Sequence, residues 1–168
     1  YPIALMTGNC FIWKPSSHTP GATQLQAELW KQAGLPDGVF NIVYGGRDAV
    51  NAILDSPGIE AVQFVGSTAV GKMVHERGTR AGKRVGCYMG AKNAMIVLPD
   101  ADMDLAADSA VAAGYGSAGE RCMAQSLVIA VGDTGDKLLP LMKERIEKLK
   151  VGPGIEQGMD MGPIYSAE

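Results

Sequence analysis

Cysteine, histidine and excess charge of either sign are all scarce in this 168-residue sequence. Its three cysteines are Cys10, Cys87 and Cys122, no two of them in C-x-x-C spacing, and its two histidines stand apart from each other. We therefore expect no disulfide framework, no metal site and a reducing compartment such as the cytoplasm. The net charge is −3, with no basic cluster, which argues against binding to nucleic acid or to an anionic membrane.

Long hydrophobic runs and a signal peptide are also missing from the sequence. No apolar run approaches the roughly 18 residues that a membrane-spanning helix needs. The first residue is Tyr1, not methionine, and an apolar, strand-like segment follows at once. We interpret the sequence as a piece of a longer chain. Its 46% hydrophobic residues fit a folded protein, and its 22 glycines and nine prolines predict short elements joined by tight turns.

Strand-like and helix-like segments alternate over the first half of the sequence. Strands are predicted over residues 10–14, 39–43, 61–65 and 84–89, with helices beginning near Thr19, Arg47 and Ser67. This order predicts an α/β fold, the latter half of a doubly wound parallel sheet with right-handed crossovers. The expected inner faces are Ala22, Leu25, Leu29 and Ala33 in the first helix, and Val70, Met73 and Val74 in the third.

The pattern changes from about residue 90. A strand over residues 94–98 is expected to be buried on both faces, and the aspartates that follow it favour a helix N-terminus. An apolar stretch over residues 127–131 and a final amphipathic helix complete the pattern, the helix carrying Leu138, Met142, Ile146 and Leu149 on one face. We expect a second α/β unit here.

Three places in the sequence, besides the cysteines, could carry chemistry. The string Gly114-x-Gly116-x-x-Gly119 matches a dinucleotide fingerprint, but it follows a predicted helix instead of a strand, so we interpret it as a turn. Ser67 opens a helix after a strand and could bind a phosphate or only cap the helix. Lys14 ends a strand where α/β proteins bind ligands, although the residues by themselves favour an ordinary solvated lysine.

Cys122 has the most suggestive surroundings of the three thiols. It follows a glycine-rich segment and stands beside Arg121, and a neighbouring cation favours the nucleophilic thiolate. Cys10 and Cys87 lie in apolar strands, where a buried structural thiol is expected.

Five motifs in order resemble the aldehyde dehydrogenase superfamily, and within it the coenzyme-A-acylating branch of methylmalonate-semialdehyde dehydrogenases. They are Lys-Pro-Ser at 14–16, Ala-Gly-Leu-Pro-Asp-Gly-Val at 33–39, Phe-Val-Gly-Ser at 64–67, Met-Gly-Ala-Lys-Asn at 89–93 and Gly-Ser-Ala-Gly-Glu-Arg-Cys-Met at 116–123. The resemblance implies a partial NAD-binding domain over 1–89 and a partial catalytic domain over 90–168.

The resemblance also implies roles for individual residues. Cys122 would attack the aldehyde and carry the acyl group as a thioester, and Arg121 would bind a substrate carboxylate through its planar guanidinium. Lys14 would bind the adenosine ribose, Ser67 the pyrophosphate, and Val70 would line the adenine. NAD is the implied cofactor and coenzyme A the co-substrate. The parent enzyme would be a homo-oligomer, a dimer or tetramer, in the cytoplasm or in the mitochondrial matrix of a eukaryote.

Two positions depart from the family pattern. Tyr88 stands where hydrolytic members have the glutamate that activates water, and a phenol is a poor base at neutral pH. Ser17 stands where the family usually has a glutamate that binds the ribose and repels a 2′-phosphate, so we expect some tolerance of NADP. Family residues expected on either side of this segment are absent from it, so we expect residues 1–168 alone to have no turnover.

Two alternatives to the acylating enzyme stay open. One is a hydrolytic aldehyde dehydrogenase, which would form product without coenzyme A. The other is a nucleotide-binding module that keeps the fold and has lost the chemistry. Tyr88 favours this alternative.

Overall fold

Two compact units, Tyr1–Met89 and Gly90–Glu168, make up the chain. The structure is a computed structural model and describes residues 1–164 and 166. Within that part of the chain, no helix is both long enough and apolar enough to cross a membrane. Each unit alternates strands with helices, and this establishes the predicted α/β class.

The first unit contains four helices and four short strands. The apolar segment after Tyr1, expected to be strand-like, forms a helix instead, because Pro2 favours the first turn of a helix. Its helices are α1 (Pro2–Met6), α2 (Pro20–Gln32), α3 (Arg47–Asp55) and α4 (Thr68–Arg80), and its strands are β1 (Phe11–Trp13), β2 (Phe40–Ile42), β3 (Ala61–Val65) and β4 (Arg84–Tyr88). β1 pairs with β2 and β3 with β4, both in parallel, with Phe11 opposite Phe40 and Ala61 opposite Arg84. The predicted strands and their parallel direction are confirmed, as two separate hydrogen-bonded pairs.

The predicted inner face of α2 is wrong. Leu25 and Leu29 are 56% and 53% exposed, whereas Thr23, on another face of the helix, is 5% exposed. Trp30 shares the Thr23 face and meets the ring of Tyr1 edge-on, with 6.2 Å between centroids. Tyr1 in turn contacts the rings of Phe11, Trp13 and Phe40. The large indole joins this aromatic cluster and thereby turns the leucines outward.

Helix α4 packs on the β3–β4 pair through its smallest side chains. Gly71, Val74 and Gly78 are its buried residues, spaced three and four apart as one helical face requires. Val74 is 1% exposed, which confirms part of the predicted face, but Val70 is 39% exposed. The two glycines bring the backbone of α4 close to the strands, so the buried face is centred on them and Val70 lies outside it.

The second unit is a parallel strand pair packed with two helices. It contains β5 (Asn93–Val97), α5 (Met103–Tyr115), a 3₁₀ turn (Gly116–Gly119), β6 (Gln125–Ala130) and α6 (Thr134–Glu147). Asp102 caps α5 by accepting a hydrogen bond of 3.1 Å from the Leu105 amide, as the aspartates at the helix start predict. The core joins both helices to the strand through Val97, Ala106, Ala107 and Leu138.

The apolar stripe predicted for α6 faces this core, with Leu138 fully buried and Met142 packed against it. The prediction that β5 is buried on both faces is wrong: Val97 is 2% exposed, but Ile96 is 64% exposed. Val97 shares its face of β5 with Met95, which packs on the same core, while alternate residues point away from it. A continuous apolar run in the sequence indicates a strand but does not show how many of its faces are covered.

Candidate functional site

Cys122 lies in a four-residue turn that leads from the 3₁₀ turn into β6. The amide of Ala124 donates a 2.9 Å hydrogen bond to the carbonyl of Arg121 and closes the turn, with Cys122 as its second residue. The Cys122 residue is exposed, as the chemistry of a nucleophile requires. Ala124, two residues later, is buried, so the turn is anchored on its β6 side.

The segment before Cys122 follows an unusual backbone path. Ser117, Ala118 and Gly119 have φ values of 50°, 55° and 75°, three consecutive residues in the left-handed region. A Cβ on Gly119 would also approach the carbonyl oxygen of Gly114 to 3.0 Å. The Gly-x-Gly-x-x-Gly string therefore forms the tight exit from α5, and its interpretation as a turn is confirmed.

Arg121 folds back over the 3₁₀ turn. Its Nε donates a 3.0 Å hydrogen bond to the hydroxyl of Ser117. Its Nη1 lies 3.3 Å from the point where a Cβ on Gly116 would stand, so the absent side chain makes room for the guanidinium. Ser117 was not predicted as a partner of Arg121; the four-residue separation of the hydroxyl and the arginine was the available signal.

Asn93, the first residue of β5, reaches the nucleophile turn with its side chain. Its Nδ2 donates hydrogen bonds of 3.0 Å to the carbonyl of Cys122 and of 3.0 Å to the carbonyl of Ala124. Asn93 was predicted only as the last residue of the Met-Gly-Ala-Lys-Asn motif, with no role of its own. No local pattern reveals this contact, because 29 residues separate Asn93 from Cys122.

The predicted cofactor residues all lie in the first unit. Lys14 directly follows β1 and is half-buried, and its Nζ donates to the carbonyls of Pro15 at 2.8 Å and Gly45 at 3.2 Å. An ammonium has three donors, so one N–H remains for a ligand. Ser17 is exposed in the turn before α2.

Ser67 occupies the N-cap position of α4, a helix of 13 residues, but its hydroxyl makes no capping hydrogen bond. Ser67 and Val70 are both exposed. Lys14 and Ser67 follow strands of different pairs, β1 and β3. The hydroxyl of Ser67 is thus not committed to the helix, which removes the reason for interpreting this serine as a cap alone.

The expectation that Cys10 is buried is wrong, because Cys10 is exposed. It precedes the first residue of β1, and the strand is only three residues long, so Cys10 lies outside the packed segment. Cys87 lies within β4 and is half-buried. Tyr88 ends the same strand opposite Val65 and is 65% exposed.

Comparison with known proteins identifies the family. The chain is 46% identical over 168 residues to the malonate-semialdehyde dehydrogenase of Pseudomonas aeruginosa, covering 99% of this chain and 34% of that protein. It is also 46% identical to the bovine mitochondrial methylmalonate-semialdehyde/malonate-semialdehyde dehydrogenase [acylating], covering 100% of this chain and 31% of the relative. The chain thus spans about a third of the length of these relatives.

A solved structure is also similar. A Sinorhizobium meliloti protein described as a methylmalonate-semialdehyde dehydrogenase, complexed with NAD, superposes with a TM-score of 0.91 at 47% identity, covering 98% of this chain and 34% of that one. The model of the aldehyde dehydrogenase family matches residues 1–168. The resemblance drawn from the five motifs is therefore confirmed, and this chain belongs to the aldehyde dehydrogenase family.

Proposed function

We propose that the protein carrying this chain oxidises a carboxylate-bearing semialdehyde, methylmalonate or malonate semialdehyde, and transfers the acyl group to coenzyme A through a thioester on Cys122. The observation that carries the proposal is the exposed Cys122 in a closed turn directly after Arg121. The three similar proteins named above are all malonate- or methylmalonate-semialdehyde dehydrogenases by name, and this supports the substrate class.

Cys122 supplies the nucleophile. Its thiolate adds to the aldehyde carbon, and the carbonyl oxygen takes up a proton to give a thiohemiacetal. NAD, which Lys14 and Ser67 would hold, would supply the hydride acceptor. The thiohemiacetal carbon would lose its hydride and the hydroxyl its proton, to solvent, so that the carbon on the Cys122 sulfur becomes a thioester carbonyl. The thiolate of coenzyme A then attacks that carbonyl, the C–S bond to Cys122 breaks, and acyl-coenzyme A leaves while the protein thiol is restored.

Arg121 selects the substrate in this proposal. Its Nε is occupied by Ser117, but the Nη groups can still present paired N–H donors to a carboxylate, with its side chain fixed against Gly116. A bidentate pair of this kind gives both orientation and charge complementarity. An aldehyde without a carboxylate would lose these contacts.

The first unit offers groups that fit a dinucleotide. Lys14 is held by two carbonyls with one N–H to spare, and Ser67 stands at the N-terminus of a 13-residue helix with its hydroxyl outside any capping bond. Helix N-termini favour phosphates, and an exposed Val70 offers an apolar contact for a base. Ser17 has no carboxylate to repel a 2′-phosphate, so we propose that NADP is tolerated beside NAD.

Tyr88 favours coenzyme A over water as the acceptor. The side chain is a phenol at the exposed end of β4, and a phenol does not activate water efficiently at neutral pH. A thioester that water attacks slowly persists long enough for a second thiol to attack it. The hydrolytic alternative would need a base from elsewhere in the protein.

Thiol labelling tests the proposed nucleophile on the 168-residue chain. Iodoacetamide is supplied at about pH 7 and the alkylation of each cysteine is followed by peptide mass spectrometry. We expect Cys122 to react about tenfold faster than Cys10, because only Cys122 stands beside an arginine. Cys10 is the matched control, since it is exposed as well.

Equal rates at Cys122 and Cys10 would mean that exposure alone governs their reactivity, and the nucleophile assignment would be lost. In a longer enzyme that carries residues 1–168, Cys122→Ala should abolish acylation, whereas Cys10→Ala and Cys87→Ala should retain it. Product formation should depend on coenzyme A. Carboxylate product at the same rate without coenzyme A would favour the hydrolytic alternative.

A further inference from the structure

The hydrogen-bond ladder between β5 and β6 is irregular at its first residues. Asn93 pairs with Gln125, but Ala94, the next residue, pairs with Leu127, so Ser126 has no partner opposite it on β5. A bulge of this kind redirects the chain that enters the strand. The chain that enters β6 is the turn that holds Cys122.

Where the backbone ladder is interrupted, the Asn93 side chain supplies hydrogen bonds to the neighbouring chain. A carboxamide nitrogen has two hydrogens, and here both are used, one on the Cys122 carbonyl and one on the Ala124 carbonyl, each at 3.0 Å. Because the amide group is planar, its two bonds fix the two carbonyls relative to each other. The orientation of the peptide group between Cys122 and Met123 is thereby fixed by a residue outside the turn.

The orientation of that carbonyl matters for the sulfur of the same residue. While the Cys122 oxygen is bound to Asn93, it cannot rotate toward its own thiol. A released carbonyl could do so, and its partial negative charge beside the sulfur would disfavour the thiolate. The Arg121–Ala124 hydrogen bond closes the turn but leaves the Cys122 carbonyl free, so Asn93 adds a restraint that the turn lacks.

We propose that Asn93 is a positioning residue for the nucleophile: its side-chain amide holds the Cys122 turn by two carbonyls and keeps the thiol reactive. The inference rests on the proposed function, since it presumes that Cys122 is the nucleophile. A purely architectural role, in which Asn93 only stabilises the bulge, is the competing explanation.

Labelling of the 168-residue chain separates the two explanations. Asn93→Ala removes both donors and leaves space for water. Asn93→Leu removes both donors at similar side-chain volume, so one variant remains informative if the other fails to fold. The rate of Cys122 alkylation by iodoacetamide is measured from about pH 6 to about pH 9. We expect both variants to move the Cys122 profile to higher pH, with about a fivefold loss of rate at about pH 7.

Asp102→Ala is the matched control, because it also deletes a side-chain-to-backbone hydrogen bond in the second unit and should lower stability without touching the Cys122 turn. Urea unfolding of all variants measures that loss. If Asp102→Ala slows Cys122 as much as Asn93→Ala, or if neither Asn93 variant slows it, the positioning role is overturned. In the unaltered chain, a Cys122 no faster than Cys10 would instead overturn the proposed nucleophile itself.

Discussion

Gly78 of α4 lies directly against Val85 of β4: a Cβ on the glycine would stand 2.6 Å from Cγ2 of the valine. Leu54 of α3 closes the other side, at 3.7 Å from the same point. Both Gly78 and Leu54 are buried, so a methyl group added at position 78 would have to displace packed neighbours. The helix and strand therefore approach each other at a distance that only glycine permits.

Gly78→Ala is expected to destabilise the chain by about 1–3 kcal/mol, the usual cost of overpacking a core. The measurement is urea unfolding followed by circular dichroism. Gly21→Ala is the control, because Gly21 lies in α2 with nothing within 4 Å of its virtual Cβ. That change should be neutral or stabilise by up to about 1 kcal/mol. Equal effects at the two positions would contradict the close packing of α4.

Ala118 is expected to accept glycine at no cost. Its φ of 55° is strained for an alanine by about 1–2 kcal/mol, which offsets the greater flexibility that glycine brings to the unfolded chain. Ala112 is the control, since it is exposed inside α5 and glycine there should cost about 1 kcal/mol. A loss at position 118 as large as that at position 112 in urea unfolding would rule out the left-handed turn before Cys122.

Arg145→Met is expected to lower the melting temperature and to reduce its dependence on salt. Arg145 of α6 is hydrogen-bonded to Asp108 and lies 2.9 Å from Asp104, both on α5, and these carboxylates raise the pKa of its guanidinium. Wherever Asp104 and Asp108 are ionised, this attraction contributes fully to stability below the unfolded pKa of arginine, and it is lost at high pH as pH rises through the higher folded pKa.

Thermal unfolding in dilute buffer and in about 1 M NaCl, where the Debye length is ~3 Å, measures this effect. Lys143→Met is the control, because the Lys143–Glu147 pair is exposed on both sides and separated by 3.8 Å. It should change the melting temperature little. An Arg145 variant as salt-sensitive as the unaltered chain would show that the bridge between α5 and α6 contributes nothing.

Arg121→Leu is expected to abolish the preference for carboxylate-bearing aldehydes. Malonate semialdehyde should protect Cys122 from iodoacetamide at lower concentration than propanal does, by about tenfold, because each forms a thiohemiacetal but only the first pairs with the guanidinium. In Arg121→Leu the two aldehydes should protect equally. Retention of the preference would remove Arg121 from substrate recognition, while leaving Cys122 as the thiol that is protected.

The sequence predicted the elements better than the surfaces between them. Most strands and helices and their parallel pairing follow from local periodicity and from turn residues, and these were confirmed. The strand-like segment expected after Tyr1 is helix α1 instead. The side of α2 that is buried depends on Trp30 meeting Tyr1, residues 29 positions apart, and no periodicity within the helix contains that information. Which faces of β5 are covered likewise depends on the elements that pack against the strand, and the apolar run itself does not contain that information.

The candidate site also contains some residues that the sequence indicated and others that only the folded structure brings in. Cys122 and Arg121 are adjacent in the sequence, so a candidate nucleophile beside a cation could be predicted from the sequence itself, whereas the carboxylate-binding role of Arg121 comes from the family resemblance; both roles stay predictions. Asn93 and Ser117 act through hydrogen bonds that exist only once β5 lies beside β6 and the 3₁₀ turn is formed. Burial of Cys10 was wrongly inferred from its apolar neighbours, since β1 begins only at Phe11 and leaves Cys10 outside the packed segment.

The exposure of Cys10 together with Cys122 determines how the purified chain will behave in air. Each molecule presents two accessible sulfurs, so intermolecular disulfides can extend in both directions instead of stopping at a pair. Oxidised preparations should give a ladder of covalent oligomers on a non-reducing gel, and removing either thiol should collapse the ladder to a dimer band.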